Sequence, residues 1–353
     1  MDQGHSRPRL HGLIGRIAPD LSSLWCPQLS AAGAMSTSFR FQDPGGPVLE
    51  QLDAVHANLR ATLLSAHAGQ HIDDRVEMLA DAVEDAVKLN ADTALAYLFI
   101  RNGEGYPLLH AIHCAVVVCL GAQAAGLGTD ERHPLLCAAL TQNISMCALQ
   151  AELFHLHGPP ASLDRLLIRR HPLTSVGILK ALGVTDPDWL EAVALHHERF
   201  DGSGYPFSLR GAALPFGARL IGAADIYCAA VSPRGYRHGR PAHEAMRNLF
   251  MGAGRVVDDA LARLLVKTLG IYPPGSLIEL RNRELALVVA RGDRVDRPWI
   301  KRLKVSEAPQ LVPAEGEHCA VRVLSTGQWP EGLRLERTWR EAEALQQGLT
   351  VGP

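Results

Sequence analysis

His196 and His197 stand side by side at the end of an apolar helical stretch and run directly into Glu198, Arg199 and Asp201, then into a turn with Gly202, Gly204, Tyr205 and Pro206. Imidazole nitrogens suit zinc, iron and manganese alike, and Asp201 reads as a carboxylate that orients a ring or bridges a metal. The glycines let the backbone turn sharply and approach a ligand where a Cβ would intrude. Asp225 lies alone within LIGAADIYCAA, where an acid is costly unless it is hydrogen-bonded or metal-bound; both readings stand. His110 and His113, three apart on an apolar helix, share a face. In SPRGYRHGRP, Arg234, Tyr236, Arg237 and Arg240 offer donors, and arginine's planar fork suits phosphate oxygens. A solvated basic loop is the alternative there.

These groups need a frame, and the apolar spacing describes one. Val48, Leu49, Leu52, Val55, Leu59 and Leu63 recur at three and four, predicting an amphipathic helix from Val48 to Leu64. Asp73 is expected to cap a second helix carrying Val76, Leu79, Val83 and Val87, and Asp92 a third running to Ile100. This first region reads as a dimerisation, sensor or capping element, so a homodimer is among the expected assemblies. From Tyr106 the pattern stays helical. Pro134 to Met146 is an apolar helix ending in Thr141, Gln142, Asn143 and Ser145, polar groups that need interior partners. His171 precedes Pro172, which is expected in the first turn of a helix. Further helices are predicted over Trp189–Leu195, Leu220–Ala230 and Ala242–Leu269. After Pro273 and Pro274, Ser276–Ala290 and Trp299–Val305 read as a small β appendage, and a short helix around Ala342 and Leu345 closes the chain. The expected divisions are a disordered extension over 1–45, helical regions at 46–103 and 104–270, the appendage at 271–310 and a tail at 311–353.

Composition narrows the function. The 353 residues are 47% hydrophobic and 20% charged, with a formal net charge of −2. There is no basic patch to bind nucleic acid or an anionic membrane nonspecifically, although a small anionic ligand fits. The seven cysteines form no CxxC pair and read as buried thiols of a cytoplasmic protein. No stretch is expected to span a membrane, the richest, Ala111–Gly126, being too short. Residues 1–35 lack the apolar core of a secretory signal; they read as an extension or as sequence ahead of a true start at Met35.

Taken together, His171-Pro172, the run HHERFDGSGYP, Asp225 in ADIY and the RGYR loop resemble the HD-GYP family over about Tyr106 to Ala290. That resemblance implies an all-α fold, an HD-type helical bundle with an N-terminal helical region and the small C-terminal β appendage. It also implies a metal-dependent phosphohydrolase of the kind best known for hydrolysing cyclic di-GMP in bacterial signalling. On it, His110, His171, His196, His197 and Asp225 match metal ligands. Asp201, Gly202, Gly204, Tyr205, Pro206, Arg234, Tyr236 and Arg237 match the ligand-facing loops. His113 has no counterpart and reads as a supporting or surface histidine.

The departure lies where the family carries its His-Asp pair and a nearby lysine. This chain has Gln142, Asn143 and Met146 there. An aspartate bridging two cations is lost, and a glutamine amide is a poor transition-metal ligand beside imidazole. One divalent metal (iron, manganese or zinc) is therefore expected, and a binuclear site is not. The first expectation is a degenerate member that binds cyclic di-GMP, a related nucleotide or a partner with little hydrolysis. The second is a phosphodiesterase with a reduced metal site. The third is an interaction module whose GYP loop docks a diguanylate cyclase or another signalling protein.

Overall fold

The computed structural model describes residues 11–12, 14–20, 47–103, 105–155, 162–233, 238–303 and 310–346. The first apolar stripe folds as expected into α1 (Val48–His67), burying Val48, Leu49, Leu52, Val55, Leu59 and Leu63. In α2 (Asp73–Leu89), Val76, Leu79, Val83 and Val87 are buried. The predicted caps differ. Asp73 is already helical, after Ile72, which makes no side-chain cap. Asn90, not Asp92, caps α3 (Ala91–Ile100): its extended backbone lets the side chain accept from the N–H groups of Asp92 and Thr93.

The centre of the molecule is α4 (Tyr106–Ala124), which packs against α1, α2 and α3 and against several of the helices that follow. By length and hydropathy this helix would pass as a membrane span, contrary to the sequence expectation, but 83% of its apolar window is buried inside the protein. Around it stand α5 (Thr129–Thr141), a 3-10 turn at Ile144–Met146, α6 (Cys147–His155), α7 (Ser162–Ala181), α8 (Pro187–Leu195), α9 (Phe216–Val231), α10 (Ala242–Met251) and α11 (Asp259–Leu269). The single helix expected over 242–269 is broken by a turn in which Gly254 takes φ +79. One hydrophobic core runs from Val48 to Leu269 and beyond. Across the expected division at residue 103, α1–α3 bury their apolar stripes in the same core as α4.

The C-terminal part corrects the all-α expectation. The protein is mostly helical, with an antiparallel sheet of β1 (Leu277–Leu280), β2 (Leu285–Ala290), β3 (Trp299–Arg302), β4 (Leu311–Pro313) and β5 (Ala320–Val323) in the order β4-β3-β2-β1-β5. Leu277 pairs with Leu287 and Ile300 with Val312. Two of these strands lie past residue 310, where only a tail was expected; they are too short to show period-2 alternation in the sequence. The pleat sends alternate residues to opposite faces. Leu287 and Val289 join the main core, while Ala286 and Val288 form a second core with Ile278, Leu280 and Ile300.

The ends of the chain are tied down by charge-assisted hydrogen bonds. Arg101 donates to Asp53 through Nε and Nη2 and to Glu336 through Nη1 and Nη2, joining α12 (Leu335–Gln346) to α1 and α3. Both Arg101 and Arg340 hold the Glu336 carboxyl down at about 2. Residues 14–20, inside the stretch expected to be disordered, lie on α7: Asp20 N–H donates to Gly177 O, and Lys180 Nζ donates to the carbonyls of Gly15 and Ile17. The charged hydrogen bonds of Arg101 are each worth about 1–3 kcal/mol. Arg101→Ala is expected to lower unfolding stability by that order in a denaturant titration and to make the C-terminal helix the first segment released by limited proteolysis. Unchanged stability and cleavage would contradict this docking.

Candidate metal centre

Three of the predicted histidines converge. His171 Nε2 lies 3.0 Å from His196 Nε2, and His197 completes a group whose ligand atoms all fall within 4.8 Å of one another. Pro172 is not in a first helical turn as expected; it lies in the middle of α7. Its position explains the orientation of His171. Proline has no N–H to give to the carbonyl four residues back, which leaves Ile168 O free, and His171 Nδ1 donates to that oxygen at 2.6 Å. His196 uses the end of α8 in the same way. The last carbonyls of a helix lack intrahelical partners, and His196 Nδ1 donates to Val193 O at 2.7 Å.

A neutral imidazole carries one N–H. With both Nδ1 protons committed to backbone oxygens, His171 and His196 aim two Nε2 lone pairs at each other across 3.0 Å. A proton is a poor bridge here: burial, followed by the neighbouring His196, pushes the His171 pKa down to about 3. Burial likewise lowers His196 and His197. Neutral, desolvated imidazoles with fixed tautomers are the ligand state that a divalent cation requires. The residues present therefore fit a metal.

His110 and Asp225 form a second pole. His110 Nε2 is 2.9 Å from Asp225 Oδ1 and 3.5 Å from Cys114 Sγ, and these three donors also lie within 4.8 Å. Burial opposes charge on His110, but Cys114 and Asp225 outweigh it and raise the pKa to about 10. Asp225 moves well below the usual carboxylate range: burial resists, and the hydrogen bond from His110 prevails. Among the described residues no backbone carbonyl receives His110 Nδ1; the ring is stacked on Tyr106 at 5.3 Å. A cleft of about 170 Å³ opens between the poles, lined by His110, Asn143, Met146, Ile168, His197 and Asp225 among others. Gln142 is buried, and neither atom of its amide has a hydrogen-bond partner among the described residues.

The glycine-rich turn is braced from below. Glu198 accepts from the N–H groups of Phe207 and Leu209, and a Cβ on Gly204 would collide with the backbone of Glu198 and Arg199. Tyr205 packs tilted on His197 at 4.9 Å, and the Arg169 guanidinium carbon lies 5.4 Å from its ring centroid. Among the described residues, Asp201 bonds no histidine ring and joins none of the candidate metal groups. It caps the turn, its Oδ1 accepting from Ser203 N–H. His113 is not a surface residue; it is buried edge-on against Tyr97. Arg234, Tyr236 and Arg237 lie outside the described residues. Sequence reasoning missed Glu198, although it follows the histidine pair directly, and Cys114, whose spacing of four from His110 places it one turn along the same face.

An HD domain family model matches residues 77–261. The chain is similar to the cyclic di-GMP phosphodiesterase PA4108 of Pseudomonas aeruginosa, with 29% identity over 231 residues that cover 65% of this chain and 55% of that protein. It is also similar to the cyclic di-GMP phosphodiesterase response regulator RpfG of Xanthomonas campestris, with 30% identity over 155 residues covering 42% and 40%. The chain spans about half the length of the curated relatives it matches. In fold it is similar to a solved HDG"Y"P protein from Bdellovibrio bacteriovorus, with a TM-score of 0.52 at 16% identity, covering 64% of this chain and 74% of that one.

Pro172→Ala restores an N–H that competes with His171 for Ile168 O. The ring then loses its orienting partner, and affinity for a divalent cation is expected to fall about tenfold or more in a calorimetric titration, while the helix itself becomes no less stable. Unchanged metal affinity would show that the proline does not set the ligand geometry.

Proposed function

The chain belongs to the HD domain family, in its HD-GYP branch, and from that premise we propose that it is a cyclic-dinucleotide-binding signalling protein with a reduced metal centre and little or no hydrolysis. The observation that carries this reading is the combination of a braced GYP turn and three converged histidines with Gln142 and Asn143 where the family has its His-Asp pair. His171, His196 and His197 would hold iron, manganese or zinc. A cation so held polarises a phosphoryl oxygen and lowers the pKa of bound water.

The neighbouring residues support binding better than turnover. Asn143 lines the cleft and offers an oxygen of aspartate's shape without its negative charge, so it cannot neutralise two cations at once. Met146 lines the same cleft and supplies no positive charge to a developing phosphoryl transition state. The cleft's 170 Å³ falls short of the roughly 300–1,000 Å³ of small-molecule sites. It accommodates a phosphodiester, and the bases of a cyclic dinucleotide would then lie outside it. The intact histidine trio favours a second reading, a phosphodiesterase with slow residual turnover.

Both readings are tested by calorimetric binding of cyclic di-GMP together with an assay for linear dinucleotide or GMP release. Wild-type protein is expected to bind the ligand and to turn it over about a hundredfold or more slowly than Gln142→His/Asn143→Asp. That double variant is also expected to retain more metal. Wild-type turnover that restoration does not raise would favour the second reading, and absence of binding would sink both. Arg237→Ala is expected to weaken binding while leaving metal content unchanged.

A further inference from the structure

The pole that lost its His-Asp pair has a donor that the family pattern does not supply. Cys114 lies one helical turn beyond His110 on α4, fully buried, with its Sγ 3.5 Å from His110 Nε2. His110 Nε2 is in turn 2.9 Å from Asp225 Oδ1. We propose that His110, Cys114 and Asp225 form a second metal site in which the Cys114 thiolate is a ligand, making this pole selective for a thiophilic divalent cation such as zinc over manganese. This rests on the reading above that the cleft holds divalent metal.

The distances suit the geometry. With zinc–nitrogen and zinc–sulfur bonds of about 2.0 and 2.3 Å, the nitrogen-to-sulfur edge of a tetrahedral site is about 3.5 Å, the separation already present between His110 and Cys114. The nitrogen-to-oxygen edge is about 3.3 Å by the same construction, so His110 and Asp225 need to part by only about 0.4 Å. Charge also balances. One thiolate and one carboxylate neutralise a divalent cation once the Cys114 thiol and the His110 imidazolium have each released a proton to solvent, and a neutral site is what a buried position tolerates. The fourth direction faces the cleft, which His110 and Asp225 both line with Asn143. Softness then decides selectivity: sulfur favours zinc, whereas oxygen-rich sets favour manganese and magnesium. The lost aspartate bridge would have tied this pole to the histidine trio. With Asn143 in its place, the two poles bind independently.

Cobalt substitution of the full chain reads the sulfur ligand directly. The wild type is expected to show a near-ultraviolet thiolate-to-cobalt charge-transfer band that is lost in Cys114→Ser and kept in Cys137→Ser, with zinc content lower by about one equivalent in Cys114→Ser. X-ray absorption on the zinc-loaded wild type needs no variant and is expected to show a sulfur scatterer at about 2.3 Å. Cobalt bound without the band, a band that survives in Cys114→Ser, or a zinc shell of nitrogen and oxygen alone overturns the Cys114 site while leaving the histidine trio standing. Protein that binds no cobalt at all overturns the metal reading of the whole cleft.

Discussion

The site depends on one arrangement: two imidazoles whose Nδ1 protons are spent on helix carbonyls, leaving two Nε2 lone pairs facing each other at 3.0 Å. Neither carbonyl is available by accident. Ile168 O is released because Pro172 has no N–H, and Val193 O because α8 ends two residues later. The backbone defects of two helices thus become the fixtures of two ligands. The rest of the fold serves to hold α7 and α8 side by side, while α4 packs on α9 and brings His110 within reach of Asp225.

The two poles of the cleft differ in kind. At one, burial keeps three histidines neutral and ready to ligate. At the other, His110 carries a proton that pairs with Asp225, so a cation entering there must displace that proton. Asn143 lines the cleft between these regimes with an amide side chain. The buried Gln142 amide, unpartnered among the described residues, is costly, by about 1–3 kcal/mol for each unmet group.

The parts of this arrangement differed in how plainly the sequence carried them. Helices with a full apolar stripe, such as Val48 to Leu63, were legible because burial follows the 3.6-residue period. The GYP turn and the histidine pair were legible because their spacing is dense and specific. Pro172 was not, because proline is commoner at a helix start, and its true role appears only when the carbonyl it frees is found in the hand of its neighbour. Asp201's local bond was not legible, since a carboxylate next to a histidine pair can as easily close a turn, and its bond to Ser203 is invisible without coordinates. Strands β4 and β5, three and four residues long, are too short to show any period. Cys114 was overlooked because an apolar helix is where an inert buried thiol is expected, and only its distance to His110 separates the two cases.

The facing imidazoles are proposed to be a metal site and not a hydrogen-bonded pair. The most direct measurement is the number of divalent cations retained by the full chain purified from medium supplied with iron, manganese and zinc, compared with His196→Ala. The account predicts at least about one equivalent per wild-type chain, reduced by about one equivalent in the variant. Wild-type protein that is correctly folded and metal-free, or a variant that retains as much metal as the wild type, would contradict it.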